Sequence, residues 1–370
     1  ELEEPTAMVW GPDDRLYVAE LAGRIVALTL DSGGRAVVDV EELAAPDDFN
    51  QILGLAFNSQ EEEPGLYVSN NFVLGTSEGN PFPNEVVRLG GPDWSERRVV
   101  ISGLPVSKHN HGTNALAFDD SGRLFIAQGG ATPLGVPSTP DDDRWGDWDE
   151  TPLSAALLVA DLSDPDFDGA LVYDRPQATA ETNLVSGDVA VFAAGLRNMY
   201  DFVLHSNGNI YGIDNGSSEP VPASADCQTP SAPPDNDPDQ VHLLLEGEYY
   251  GSPNRNRGRE DARQCAYVPP SEETPEEHDM LRLVPPSSNA IIEFRGDFFE
   301  GSWQGDLIYA WWSGGEIRRL PLSGDGTAVE GEETIGDGFS LPLAMVQAPN
   351  GTIYIAEFGG GVISYLAPQE

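Results

Sequence analysis

One short pattern recurs six times along this chain, and it constrains the fold more than any single residue does. It reads AMVWGPDDRLYVAE from Ala7, ILGLAFNSQEEEPGLYVSN from Ile52 and NALAFDDSGRLFIAQ from Asn114. Further copies are MYDFVLHSNGNIYGID from Met199, AIIEFRGDFFEGSWQGDLIYAW from Ala290 and AMVQAPNGTIYIAE from Ala344. Each is an alternating apolar strand, a turn rich in Gly, Asn or Asp, and a second strand centred on Leu-Tyr or a close variant. Uneven spacing between copies is what repeated blades with unequal loops give. The pattern predicts an all-β, six-bladed propeller forming a single domain over 1–370, with long loops at about 131–152 and 220–270.

A third apolar segment follows each second strand: Arg24–Leu30, Glu85–Leu89, Ala155–Leu162, Gln240–Leu245, Glu316–Leu322 and Val362–Leu366. Connecting segments such as Val185–Ala194 supply a fourth strand. No helical period is sustained, and 30 prolines with 40 glycines suit a turn-dense β fold.

Charge narrows the partners. With 19 basic and 62 acidic residues the net charge is −43, so phosphate is repelled and nucleic acid is not a partner. The acidic residues are spread along the chain, as in a solvated shell for a saline medium. Only Asp141–Glu150 and Asp235–Asp239 are locally dense, and both read as acidic loops. No run approaches the ~20 apolar residues that cross a bilayer. The chain opens Glu-Leu-Glu-Glu with no signal peptide, so any such segment is expected to have been removed or never present. Cys227 and Cys265, the two cysteines, flank the Pro- and Asp-rich loop. A bridge there would stabilise by roughly 3–4 kcal/mol. It implies an oxidising compartment, and the chain reads as secreted or periplasmic.

In a propeller, the loops entering each innermost strand meet at one mouth of the central channel, where a ligand site forms. Those positions hold Asn50 and Gln51; His109, His111 and Asn114; Arg197 and Asn198; Ser288 and Asn289. In KHNHGTNALAF, His111 is placed to take a proton from an alcohol near neutral pH. In GLRNMYDF, Arg197 offers a fixed guanidinium fork for anionic oxygen. In IDNGSSEP, the turn at Gly216 and Ser217 presents carbonyls suited to a hard cation. Asn215-Gly-Ser217 and Asn350-Gly-Thr352 also match the glycosylation sequon. Asp164–Gly169 mimics the start of an EF-hand loop, but Arg175 stands where its bidentate Glu belongs and no helices flank it. Trp145, Trp148, Trp311 and Trp312 are candidates for stacking on a sugar or for packing.

These stretches resemble the soluble quinoprotein sugar dehydrogenases, the glucose/sorbosone dehydrogenase group, and more closely its pyranose dehydrogenase-like branch. The matching segments are HGTNALAFDDSGRLFIAQGG, GLRNMYDFVLHSNGNIYGIDNG, LLLEGEYYGSPN and the last repeat. The resemblance implies pyrroloquinoline quinone (PQQ) and calcium as cofactors, a sugar or polyol substrate, and an external electron acceptor. His111 would be the base and Arg197 would hold the quinone. Asn114, Asn198, Gln51, Gly129, Gly130 and Arg318 would line the cofactor, and carbonyls of Gly216 and Ser217 would bind calcium. The chain departs from its relatives at Ser313 and Gly314, where lysine or arginine usually stands. It departs again at Ala131–Pro133, where the branch often reads Asn-Thr-Asn, and at Ser217-Ser218, where Pro-Asn is usual. Two other functions fit the same blades. One is a carbohydrate- or protein-binding propeller that has lost the quinone; the other is a calcium-dependent lactonase-type hydrolase.

Overall fold

The computed structural model describes residues 1–72, 79–133, 135, 137–138, 141, 145–217, 237–254, 256 and 278–367. Blade 1 is the meander β1 (Pro5–Trp10), β2 (Leu16–Glu20), β3 (Ile25–Leu30) and β4 (Val37–Ala44). Blade 2 is β5 (Gln51–Phe57), β6 (Leu66–Asn71), β7 (Asn84–Gly90) and β8 (Glu96–Leu104). Blade 3 holds β9 (Thr113–Phe118), β10 (Arg123–Gln128) and β11 (Ala156–Asp161). A ribbon of β12 (Val172–Tyr173) and β13 (Leu184–Ser186) then precedes its outer strand β14 (Val189–Ala194). Blade 4 is β15 (Met199–Leu204), β16 (Ile210–Asp214), β17 (Asp239–Leu244) and β18 (Arg282–Val284). Blade 5 is β19 (Ser288–Glu293), β20 (Leu307–Trp311), β21 (Glu316–Leu320) and β22 (Glu333–Asp337). Blade 6 has three strands, β23 (Pro342–Gln347), β24 (Ile353–Glu357) and β25 (Val362–Leu366). All pairings within the blades are antiparallel, and the described residues contain no α-helix.

The sequence periodicity explains the packing. Apolar residues alternate along each strand, so every blade presents an oily face to each neighbour. Six buried clusters result, one per blade interface. The cluster joining blades 6 and 1, with Leu16, Val26, Tyr354 and Ala356, closes the ring. The repeated aromatic of each second strand is the pin of an interface: Tyr17, Tyr67, Phe125, Tyr211, Tyr309 and Tyr354 are all buried. Each such burial stabilises by about 1.5–3 kcal/mol. Buried phenols need hydrogen-bond partners, and two find theirs on the next blade. Tyr211 Oη donates to the Gly326 carbonyl, and Tyr354 Oη donates to that of Gly34, each at 2.7 Å.

The expected fourth strand Val185–Ala194 is interrupted. Gly187 takes φ +114°, a turn that splits the segment between β13 and β14. Cys227 and Cys265 lie outside the described residues, and β17 (Asp239–Leu244) lies between them, within the stretch 220–270 that the sequence reads as a long loop.

Inner strands β1, β5, β9, β15, β19 and β23 line the axial channel, a cavity of about 300 Å3. Side chains link one blade to the next around it. Thr6 Oγ1 donates to the Ile52 carbonyl; Asn71 Nδ2 donates to that of Thr113 at 2.8 Å, and Asn114 Nδ2 to that of Met199 at 3.0 Å. Asn215 Nδ2 reaches the Ser288 carbonyl at 3.1 Å. Across the axis, Tyr200 Oη of blade 4 donates to the Thr6 carbonyl of blade 1 at 3.0 Å.

Candidate active site at the channel mouth

A cavity of about 330 Å3 opens over blades 3 to 6, at the mouth where their inner strands begin. Its polar lining includes His111, Arg197, Asn198, Asn215, Asp239 and Asn289, with Asn110 and Asp237 beside them. Pro286, Trp312, Leu343 and Phe358 supply the apolar part of the lining.

His111 enters from the turn before β9. Its backbone N–H donates to Ser107 Oγ, and its carbonyl accepts from the Ser107 N–H at 2.9 Å, so the turn is closed locally. The ring Nδ1 lies 3.1 Å from the Gly130 carbonyl oxygen. A carbonyl only accepts, so Nδ1 carries the proton and Nε2 is the basic nitrogen. Burial holds the imidazole well below its usual pKa, the Arg197 charge pushes the same way, and the Gly130 carbonyl opposes them.

Arg197 precedes β15. Its Nε donates to the Pro133 carbonyl at 2.8 Å, and Nη1 donates to the carbonyls of Asn215 (3.3 Å) and Gly216 (3.1 Å). Asp214, at the end of β16, takes the backbone N–H groups of Arg197 (2.8 Å) and Asn198 (2.7 Å), which fixes the entry to β15. Asn198 Oδ1 accepts from Asn114 Nδ2 at 2.9 Å, joining two of the predicted residues.

Gly129 is a glycine for steric reasons. A Cβ on Gly129 would sit 2.7 Å from the His111 Cβ and 2.8 Å from Asn198 Oδ1. Gly130 donates its N–H to the Arg197 carbonyl at 2.8 Å. One dipeptide thus spaces the base and the arginine.

Gly216 and Ser217 lie beside Asp239, whose carboxylate accepts the Gly216 N–H at 2.9 Å, the Ser288 N–H at 2.7 Å and Asn215 Nδ2 at 2.8 Å. Burial nonetheless pushes the Asp239 carboxyl up to about 7, with the charge of Asp214 adding to the effect and those donors opposing it. The Ser217 carbonyl accepts the Asp237 N–H at 3.0 Å. A Cβ on Gly216 would lie 2.4 Å from the Asp237 carbonyl oxygen. Asn215, read as a sequon, has its amide committed inside this network.

His111, Arg197, Asn198 and Gly216 line the cavity, and Asn114, Gly129, Gly130 and Ser217 pack directly behind them. Gln51 and Arg318 do not line it. Gln51 begins β5 in blade 2, on the far side of the mouth, with its carbonyl taking the Asn71 amide at 3.4 Å. Arg318 sits on β21, the third strand outward. There its guanidinium pairs with Glu316 (2.9 Å) and Glu332 (2.8 Å) and lies over Trp311. On so acidic a chain, an arginine on an outer strand is claimed by local carboxylates.

Of the four tryptophans read as stacking candidates, Trp312 is the one that lines the cavity. Asp237, Asp239 and Phe358 were not singled out as site residues, and neither these three nor Trp312 stands in a loop entering an inner strand. In an antiparallel meander the connection between the second and third strands returns to the same mouth, and that rule alone points to all four. Asp239 closes the run read above as an acidic loop, and it begins β17 in the cavity wall.

Comparison with known proteins bears on the fold and the family. The family model described as Glucose / Sorbosone dehydrogenase matches residues 2–361. A curated relative, quinoprotein glucose dehydrogenase B of Acinetobacter calcoaceticus, is 25% identical over 272 residues, 68% of this chain. The match spans about half (51%) of that protein's length. Among solved structures, the soluble aldose sugar dehydrogenase of Escherichia coli in its apo form superposes with TM-score 0.64 at 16% identity, covering 100% of this chain and 97% of its own. The PQQ-bound aldose sugar dehydrogenase of Streptomyces coelicolor gives TM-score 0.60 at 15% identity, covering 96% and 88%. At these identities the structures speak to the fold. With a family model matched along almost its whole length, the chain belongs to the glucose/sorbosone dehydrogenase family.

Proposed function

We propose that this chain oxidises a sugar or related alcohol at the channel mouth, using PQQ and calcium, with His111 as the base. The observation that carries the reading is convergence: a histidine with its Nδ1 proton engaged, an arginine, and a cluster of hard oxygen donors meet in one cavity.

The residues fit a calcium ion through the second lone pairs of the Gly216 and Ser217 carbonyls, with the Asp239 carboxylate beside them and Asp237 also in the cavity wall; oxygen donors of this kind are what that ion requires. They fit a planar quinone through the apolar lining of Trp312, Leu343 and Phe358 and through the charge of Arg197. PQQ supplies the two-electron acceptor when bound; the protein supplies base, orientation and charge. Nε2 of His111 takes the hydroxyl proton of the sugar, and its neutral state at physiological pH follows from its burial. Arg197 neutralises anionic oxygen in the cavity, and Asn198 holds Asn114 so that the floor keeps its shape.

A second reading rests on a specific observation. Among the described residues lining the cavity, Arg197 is the one arginine or lysine. Ser313 spends its hydroxyl on the Pro286 carbonyl at 3.0 Å. A side chain at Gly314 would begin 2.1 Å from the Trp311 ring, which leaves no room there for a cation. A sugar-binding propeller without bound quinone is consistent with that wall. Dye reduction over a panel of aldoses and polyols, with added PQQ and calcium, separates the two. Turnover lost on chelation and in His111→Ala supports the dehydrogenase. Sugar binding with no turnover at any quinone concentration supports the second reading. The same proposal places the protein outside the cytoplasm, in a saline medium, in keeping with its charge of −43.

A further inference from the structure

Trp145 touches both candidate reactive groups. Its side chain is buried, at 1% exposure. The indole meets the His111 imidazole edge to face, with centroids 4.6 Å apart and planes at 84°. Cζ of Arg197 lies 5.5 Å from the same ring. Trp145 does not line the cavity; it stands behind the two groups that do. The chain that follows it is anchored at two points. Gly146, at φ +64°, packs against the Lys108 side chain, where a Cβ would come within 2.6 Å of Cδ. The Glu150 carboxylate accepts the N–H groups of Ala131 and Thr132, each at 3.0 Å, and the hydroxyls of Thr132 and Ser154. Those bonds hold the strand end that carries the Gly130 carbonyl.

We infer that Trp145 is a positioning residue: one indole fixes the separation of His111 and Arg197 and keeps water away from the imidazole. An aromatic ring tolerates a guanidinium and excludes solvent, so it serves both neighbours without adding a charge. This deepens the reading of His111 as the base and rests on it. The charged groups around the imidazole are Arg197 beside it, Asp237 and Asp239 in the cavity wall, Lys108 on its own loop, and Glu150 behind the Gly130 carbonyl. Removing the indole admits water between His111 and Arg197. That relieves burial and screens repulsion together, so both effects make the imidazole more basic.

The test is a titration of the histidine ring resonances of the full chain, without added cofactor. Trp145→Phe, Trp145→Leu and Trp145→Ala are compared with the wild type, and His111→Asn assigns the signal. The His111 midpoint is expected to stay near the wild-type value with Phe, to rise with Leu, and to rise by about one pH unit with Ala. An unmoved midpoint in a folded Leu or Ala variant overturns the inference. Dye reduction by His111→Asn is read separately: wild-type turnover there removes the base assignment, while the order of midpoints still decides the role of Trp145.

Discussion

The Nδ1 of His111 and the carbonyl oxygen of Gly130 lie 3.1 Å apart, and this contact decides which nitrogen of the ring can act. It leaves Nε2 as the proton acceptor and ties the base to the strand end that also holds Arg197 through the Gly130 N–H. A backbone carbonyl orients the ring without the added basicity that a carboxylate partner would confer.

The first prediction concerns pH. A base must be neutral to act, and burial and Arg197 hold His111 well below its usual value. The kcat/KM profile should therefore stay flat as pH falls through 6.5, the ordinary histidine value, and decline only at more acid pH. His111→Ala should lower kcat by roughly 10²–10⁴-fold. A profile that breaks at or above 6.5 would assign the limb to another group.

Gly129→Ala tests spacing. Its Cβ would meet the His111 Cβ at 2.7 Å and Asn198 Oδ1 at 2.8 Å, so base and floor must move apart. Activity should fall at least tenfold, in line with the cost of misplacing reacting groups, while the melting temperature changes by only a few degrees. Steady-state kinetics beside a thermal melt reads both.

At the cation site, Asp239→Asn and Gly216→Ala should each weaken calcium binding. The first removes a negative charge; the second forces the turn away from the Asp237 carbonyl, 2.4 Å from the new Cβ. Calorimetric titration of calcium into the apo protein should show about a tenfold loss or more in either variant. Wild-type affinity in both would place the ion elsewhere.

How far the sequence discloses this site follows from topology. Alternating apolar strands and a recurring tyrosine made the ring of blades legible, because each interface repeats the same packing problem. His111 and Arg197 were legible because both stand in loops that enter inner strands. Trp312 was legible as a candidate ring for stacking, whereas Asp239 and Phe358 were not, since they arrive from connections between second and third strands, and Asp239 follows a long excursion in the chain. Gln51 stands in an equivalent loop, yet the cavity is off-axis, over blades 3 to 6. The repeat is the same in every blade, so it does not show which blades the cavity covers. Arg318 illustrates a different limit: strand alternation narrows its direction, but the partner is set by Glu316 and Glu332, which only the folded blade brings near.

In the axial channel, burial pushes the Asp201 carboxyl up to about 7, against hydrogen bonds from the N–H groups of Ile291 and Phe202. The sign is that of a raised acid: the folded state favours the protonated form. Stability from this group is therefore lost as pH rises from the unfolded value near 3.8 through the folded value near 7. Asp201→Asn should flatten that part of the stability-versus-pH curve, measured by denaturant unfolding at pH 5 and pH 8. An unchanged difference between the two pH values would contradict the assignment.

Salt should also stabilise the chain. A net charge of −43 repels itself, and screening shortens the reach of that repulsion from ~10 Å at 0.1 M to ~3 Å at 1 M. The melting temperature should climb steadily across this range, and a flat response would show that the carboxylates are already neutralised locally.

The most direct test of the central claim is equilibrium binding of PQQ to the apo protein, followed by its absorption spectrum, with calcium and then with EDTA. The account predicts tight, saturable binding that requires calcium, is weakened in Arg197→Ala and is reversed by the chelator. Absence of binding at micromolar quinone with calcium present would contradict it, and would show that one arginine is too little positive charge for a tricarboxylate in this cavity.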